Sequence, residues 1–234
     1  MEIIRALKKI LLKAQNFLIS SETMEKSKKK WSELAKQNAK YVIWTDKENA
    51  SEEEFRASGK EAYSQYVAHD AFLQKILGET QTKSALDIGC GIGRITEFFI
   101  PDFNQVYGID IASGMIEQAK QRLPDPRYHF FEGDGLHFPI PSQTIDFVFS
   151  FIVFQHMPLR ETVESNLKET FRVLVNGGVA KIQLRGTEVD KRQWFYGVSF
   201  SQDQARRLAK ECGFEILKIE QETDRHLWLW LRKK

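Results

Sequence analysis

Four short apolar runs, at residues 85–88, 106–109, 128–131 and 145–150, end near Ile88, Ile109, Phe131 and Ser150, about 20 residues apart. That cadence of strand, turn and helix is the rhythm of successive units in a parallel sheet. Helices are predicted between the runs at 93–100, stopped by Pro101, and at 113–123, stopped by Pro124. A longer helix at 159–174 leads to Asn176-Gly177-Gly178, and a fifth strand follows at 179–184. Ser201 and Gln204 form a capping box for a helix that runs to Cys212 and is closed by Gly213. Two last strands fall at 215–219 and 227–231. In the second, Leu227, Leu229 and Leu231 alternate with Trp228 and Trp230, so both faces are apolar and both require cover.

Residues 1–80 read differently. Ile3, Ile4, Leu7, Ile10, Leu11, Ala14, Phe17 and Leu18 recur at steps of three and four, the pattern of an amphipathic helix. Residues 20–30 lack that pattern and read as a linker. An aromatic-bearing segment follows at 31–44, then a helix start at 51–54 and helical character up to Gly78. The expected division is therefore a helical extension and cap at 1–80 and a sheet domain at 81–234.

Composition limits the function classes. With 34 Lys plus Arg against 32 Asp plus Glu and 42% apolar residues, the chain has the balance of a soluble globular protein. The charge is uneven: residues 1–30 hold eight basic and three acidic side chains, leaving 26 and 29 in the remainder. Cys90 and Cys212 are too few for a disulfide framework or a zinc site, which points to a reducing, cytoplasmic setting without a metal. No stretch fits a membrane span or signal peptide.

The chemistry concentrates where strand 85–88 runs into Gly89-Cys90-Gly91-Ile92-Gly93-Arg94. Glycines at a strand's carboxyl end let the backbone turn sharply and approach a bound nucleotide. Asp110, 21 positions after Gly89 at the end of the second strand, is placed to accept hydrogen bonds from ribose hydroxyls. Arg94 occupies the place where a dinucleotide fingerprint has Gly or Ala. Asp87 would repel a pyrophosphate but suits the ammonium and sulfonium of S-adenosylmethionine, unless it is simply a polar strand end that caps the turn.

Five segments in order, 86–96 (LDIGCGIGRIT), 106–120 (VYGIDIASGMIEQAK), 131–139 (FEGDGLHFP), 145–158 (IDFVFSFIVFQHMP) and 167–184 (LKETFRVLVNGGVAKIQL), carry a resemblance. Over residues 80–234 the chain resembles the class I S-adenosylmethionine-dependent methyltransferases, in the small-molecule branch that includes ubiquinone/menaquinone-type enzymes. The resemblance implies an α/β, Rossmann-like, doubly wound, seven-stranded, mostly parallel sheet with an antiparallel last strand, plus an N-terminal helical cap. It implies S-adenosyl-L-methionine as cofactor and S-adenosyl-L-homocysteine as product.

By that resemblance Gly89, Cys90, Gly91 and Gly93 shape the loop around the aminoacyl part, with Asp87 near its ammonium. Asp110 binds the ribose, and Ile111 and Met115 pack on the adenine. Asp134 accepts from the adenine amino group, Gly135 and Leu136 lie beside the ring, and Ser150 and Phe151 line the methionine side. Arg94 either meets the cofactor carboxylate or caps the loop. In the cap, Tyr63 or the turn at 56–59 is expected to touch the cofactor.

Methyl transfer asks mainly for alignment and exclusion of water, and a base is needed only if the acceptor loses a proton early. His156, after the fourth strand, is the candidate base; the competing reading is a residue that fixes the loop. Trp194, Phe195 and Tyr196, between the fifth strand and the last helix, either stack on an acceptor or pack on the cap. The leading expectation is a small-molecule acceptor. The basic N-terminus supports two alternatives: a nucleic-acid or protein methyltransferase, disfavoured by Ser150-Phe151-Ile152-Val153 where amine-directed enzymes carry Asn/Asp-Pro-Pro-aromatic, or peripheral membrane contact through residues 1–30 with a lipid-linked acceptor.

Overall fold

A computed structural model describes the backbone of residues 2–186 and 197–234, with side chains from residue 23 onward. Seven strands, β1 (Ser84–Ile88), β2 (Gln105–Asp110), β3 (Tyr128–Glu132), β4 (Ile145–Ser150), β5 (Leu174–Arg185), β6 (Glu215–Gln221) and β7 (His226–Arg232), form one sheet. Its order is β3-β2-β1-β4-β5-β7-β6. β1 pairs in parallel with β2 and β4, and β4 with β5, whereas β7 runs antiparallel between β5 and β6. The chain reverses its direction of winding between β1 and β4. A crevice opens there beyond the carboxyl ends of the strands.

Strand alternation sorts the core into two layers. Leu86, Val148, Ile182 and the leucines of β7 face one side, under α5 (Arg160–Val173) and α6 (Gln202–Glu211). Ala85, Phe147, Phe149, Trp228 and Trp230 face the other, with Phe99 and Phe103. Helices α2 (Glu52–Tyr63) and α3 (Ala71–Leu77), joined through a π-helical turn at Ser64–Ala68, cover that second layer, and α4 (Ser113–Arg122) follows β2. β7 is thus covered on both faces, as its double apolar pattern requires. An ion-paired lysine interrupts the second layer. Lys181 of β5 is 3% exposed and donates to Asp70 Oδ2 at 2.8 Å and to Tyr66 O at 2.6 Å, over the rings of Trp228 and Trp230.

Three sequence expectations are corrected. Residues 20–30 are not a linker: α1 (Glu2–Ile43) runs through them. Lys and Glu are good helix formers, and Met24, Trp31 and Ala35 make one inward stripe that the intervening polar residues hid. The helix is interrupted only at Asn38 (φ −158°), whose side chain accepts from Tyr41 N at 3.1 Å and restarts it as an N-cap does. The helix expected at 93–100 is reduced to a 3-10 turn at Thr96–Phe98, because Gly93 (φ +86°) leaves helical space. Finally, β5 starts at Leu174, so Gly177 and Gly178 lie within that extended segment and do not end α5. Among the described residues no helix is long and apolar enough to cross a membrane.

Candidate functional site

β1 ends at Ile88 and the chain turns back through Gly89 (φ +73°) and Gly91 (φ +55°). Both conformations favour glycine, and both sites are also crowded. A Cβ on Gly89 would lie 2.2 Å from a Val153 methyl, and one on Gly91 would lie 2.6 Å from Ile43 Cδ1. The turn is pinned to β2 by Gly89 N and Cys90 N, which donate to Ile109 O at 2.7 and 3.1 Å. Asp110 completes the link, accepting from Gly91 N at 3.0 Å and from Ala112 N at 2.9 Å.

Asp87 is 5% exposed and accepts from Thr96 Oγ1 at 2.6 Å. Burial pushes its carboxyl up to about 7, against the pull of the Thr96 hydroxyl and the Arg94 charge. Arg94 is also buried. Its Nη1 donates to Ser58 O at 3.2 Å, while Nε has no hydrogen-bond partner. Burial draws the Arg94 guanidinium down from its ordinary value, although Asp87 opposes this. Two opposite charges in a low-dielectric crevice, the guanidinium with an unpartnered Nε, suit a zwitterionic ligand.

The crevice opens into a cavity of about 170 Å³. Of the site residues named from the sequence, Asp87, Gly89, Cys90, Gly91, Asp110, Ile111, Met115, Gly135, Phe151 and His156 line it. Gly93, Asp134, Leu136 and Ser150 do not. Gly93 packs against Leu123, and Leu136 is buried with its N–H bound to Asp134. The exposed Asp134 carboxylate accepts from Leu136 N and His137 N and pairs with the His137 ring at 2.9 Å. Ser150 Oγ donates to Ile88 O at 3.0 Å, fastening β4 to β1. Trp194, Phe195 and Tyr196 lie outside the described residues.

Tyr63 is turned away, bonded to Asp102 and stacked edge-on to Phe99. Residues 56–59 are part of α2, not a turn, and they act through Arg94. Ser58 holds the guanidinium, and a Cβ on Gly59 would lie 2.0 Å from Arg94 O.

In the roof of the cavity, Met24, Ser27, Val42 and Ile43 were not expected from the sequence. Met24, Ser27, Trp31, Val42 and Ile43 of α1 line the cavity from the side opposite the sheet. Met24 packs against Gly135, and Trp31 meets the His156 ring edge-on at 5.4 Å. Lys28 holds the helix down by its ion pair with Glu132 and a bond to Gly133 O at 3.3 Å. Among the described residues no group of His, Cys, Asp or Glu is arranged to hold a metal.

At the far wall, β4 gives way to Phe151, Ile152 and Val153. Ile152 has φ +57°, a conformation that a β-branched side chain rarely adopts and that costs of order 1–3 kcal/mol. Its N–H donates to Oε1 of the fully buried Gln183 at 3.0 Å.

A glycine turn after β1 and a carboxylate at the end of β2, at the switch point of the sheet, define a Rossmann-like nucleoside-binding fold. Known proteins narrow the class. A family model described as a methyltransferase domain matches residues 86–182. An uncharacterized methyltransferase of Oceanobacillus iheyensis is 31% identical over 169 residues, covering 71% of this chain and 73% of that protein. A trans-aconitate 2-methyltransferase of Afipia carboxidovorans is 35% identical over 106 residues, 44% of this chain and 39% of the relative. Among solved structures, phosphoethanolamine N-methyltransferase 2 of Haemonchus contortus, in complex with S-adenosyl-L-methionine, has a TM-score of 0.61 at 20% identity, covering 73% of this chain and 52% of that one. The chain belongs to the class I S-adenosylmethionine-dependent methyltransferases.

Proposed function

We propose that the chain transfers the methyl group of S-adenosyl-L-methionine to an O, N or C of a small-molecule acceptor held between β4 and α1. The observation that carries this reading is the shape and chemistry of the cavity. It is walled by Phe138, Phe151, Val153 and Met157 and roofed by Trp31 of α1, a pocket for a compact molecule. The trans-aconitate and phosphoethanolamine enzymes among the similar proteins also bear the names of small acceptors. Within the basic N-terminus, Lys28 is taken up by an ion pair with Glu132, which lessens the support for a nucleic-acid substrate.

The cofactor brings an electrophilic methyl on a sulfonium, so the protein's task is orientation and exclusion of water. Asp87 would face the ammonium, Arg94 Nε the carboxylate, and Asp110 the ribose hydroxyls. Ile111 and Met115 would pack on the adenine. Asp134, turned to His137, would reach the adenine amino group only by rotating. His156, with Gln155 Nε2 3.3 Å from its Nε2 and Trp31 on its edge, is proposed to orient the acceptor and to take a proton where the acceptor has one to lose.

Calorimetry with S-adenosyl-L-methionine and S-adenosyl-L-homocysteine tests the cofactor site, and a mass-shift screen over phenols, amines and carboxylates tests the acceptor. Folded protein that binds neither ligand would overturn the reading. Asp110→Ala is expected to weaken binding by roughly 1–3 kcal/mol, the range for a charged hydrogen-bond partner. Unchanged affinity would remove Asp110 from the site.

A pH dependence follows from Asp87. Its pKa in the fold lies above the unfolded value, so its protonated form favours the apo fold. That contribution is fully present below about pH 4 and is lost as pH rises through about 7. A cationic ligand requires the carboxylate. Affinity should therefore rise with pH up to about 7 and then level off, with close to one proton released on binding at pH 6 and almost none at pH 8. Titrations in buffers of different ionisation enthalpy measure this, and zero release at pH 6 would exclude Asp87 as the group.

A further inference from the structure

β4 is paired with β5 as far as Ser150, opposite Ile182, and Gln183 is the next residue of β5. At that level β4 has left the ladder, and a side chain replaces the strand. The buried Gln183 amide accepts from Ile152 N at 3.0 Å, and its Nε2 lies 3.4 Å from Gln155 Oε1 and also donates to Leu184 O. Gln155 is fixed at its carbonyl as well, by Gly197 N at 2.9 Å and Arg185 Nε at 3.3 Å. A fully buried amide near the end of β5, using its oxygen and its nitrogen on one loop, holds that loop in a shape it would not keep alone.

The loop so held carries the cavity wall. Phe151, Ile152 and Val153 line the cavity, and Val153 rests on Gly89. On the reading above, the aminoacyl group lies at the β1 turn and the ribose at the end of β2. The transferred methyl must then face the remaining flank, at β4. We propose that Gln183 is a positioning residue for methyl transfer: its amide holds Ile152 in the left-handed turn and so sets the wall beside the transferred methyl. This inference rests on the proposed cofactor site.

The test needs no knowledge of the acceptor, because the two forms of the cofactor differ by the methyl group. The full chain is titrated with S-adenosyl-L-methionine and, separately, S-adenosyl-L-homocysteine. Gln183→Leu is expected to shift the ratio of the two dissociation constants by fivefold or more from wild type, with the homocysteine form bound within about twofold of wild type. Gln183→Glu keeps an oxygen for the Ile152 N–H and is expected to hold the ratio within about twofold. An unchanged ratio in Gln183→Leu, an equal loss for both ligands, or the same shift in both variants would overturn the proposal. Should Gln183→Leu fail to fold, amide hydrogen exchange on the wild type decides: a protected Ile152 N–H supports the proposal and a freely exchanging one overturns it. Wild type binding neither ligand would instead overturn the cofactor reading and this inference with it.

Discussion

Asp87→Asn is expected to weaken binding of S-adenosyl-L-methionine by about 10- to 100-fold while leaving the apo protein no less resistant to urea. The two effects separate because the carboxylate is costly to the empty fold and useful to the loaded one. Asp87 is buried at 5% exposure, and its oxygen already accepts from Thr96 at 2.6 Å. Asparagine keeps an oxygen for Thr96 and removes the buried charge, so folding loses little. A bound ammonium, however, loses a charged partner, worth roughly 1.5–3 kcal/mol. The variant should also abolish the proton release expected at pH 6. Calorimetry and urea unfolding on the same preparation measure both; unaltered affinity would reduce Asp87 to a cap of the glycine turn.

Lys181→Met is expected to cost about 3–5 kcal/mol of stability, the price of leaving one member of a buried ion pair behind. The Lys181 and Asp70 side chains are 4% and 11% exposed, so the stranded carboxylate would stay largely desolvated. Asp70 also accepts from Leu73 N and Trp230 Nε1 at 2.9 Å, so it ties the start of α3 to β7 as well as to β5. The double variant Asp70→Asn/Lys181→Met should be clearly less damaged than the sum of the single ones. Methionine fills the lysine channel between Trp228 and Trp230, and asparagine keeps an acceptor for Leu73 without a stranded charge. Urea titrations of the four proteins give the coupling. Strict additivity would show that the pair is not a coupled unit.

How far the site could be read in advance depended on where its parts lie along the chain. The β1 turn, Asp87 and Asp110 belong to local strand-to-turn patterns whose geometry follows from residue type, and Phe151 and His156 follow a strand of obvious length. Asp134, Leu136, Ser150 and Gly93 sit just as close in sequence, yet do not line the cavity. Asp134 shows why: the His137 ring and two backbone N–H groups satisfy it within its own turn. Arg94 left two readings open, and its geometry has a place for both: Nη1 braces the loop on Ser58 and Nε remains without a partner.

The strands, their alternation and the glycine turn were decided by the sequence itself, because a period of two and a backbone at positive φ are properties of neighbouring residues. Even the covering of β7 on both faces was legible, since leucines and tryptophans alternate along its five central residues. Tertiary structure alone decided what meets across the cavity. Met24, Trp31 and Ile43 come from a helix whose polar stretch concealed its inward stripe, and Gln183 meets Ile152 from 31 positions away. Such contacts depend on how α1 and β5 pack against the β4 edge, and no local period encodes that distance. The chemistry expected at the carboxyl edge was written in the residues of β1 and β2; the shape of the pocket that selects an acceptor was set by packing.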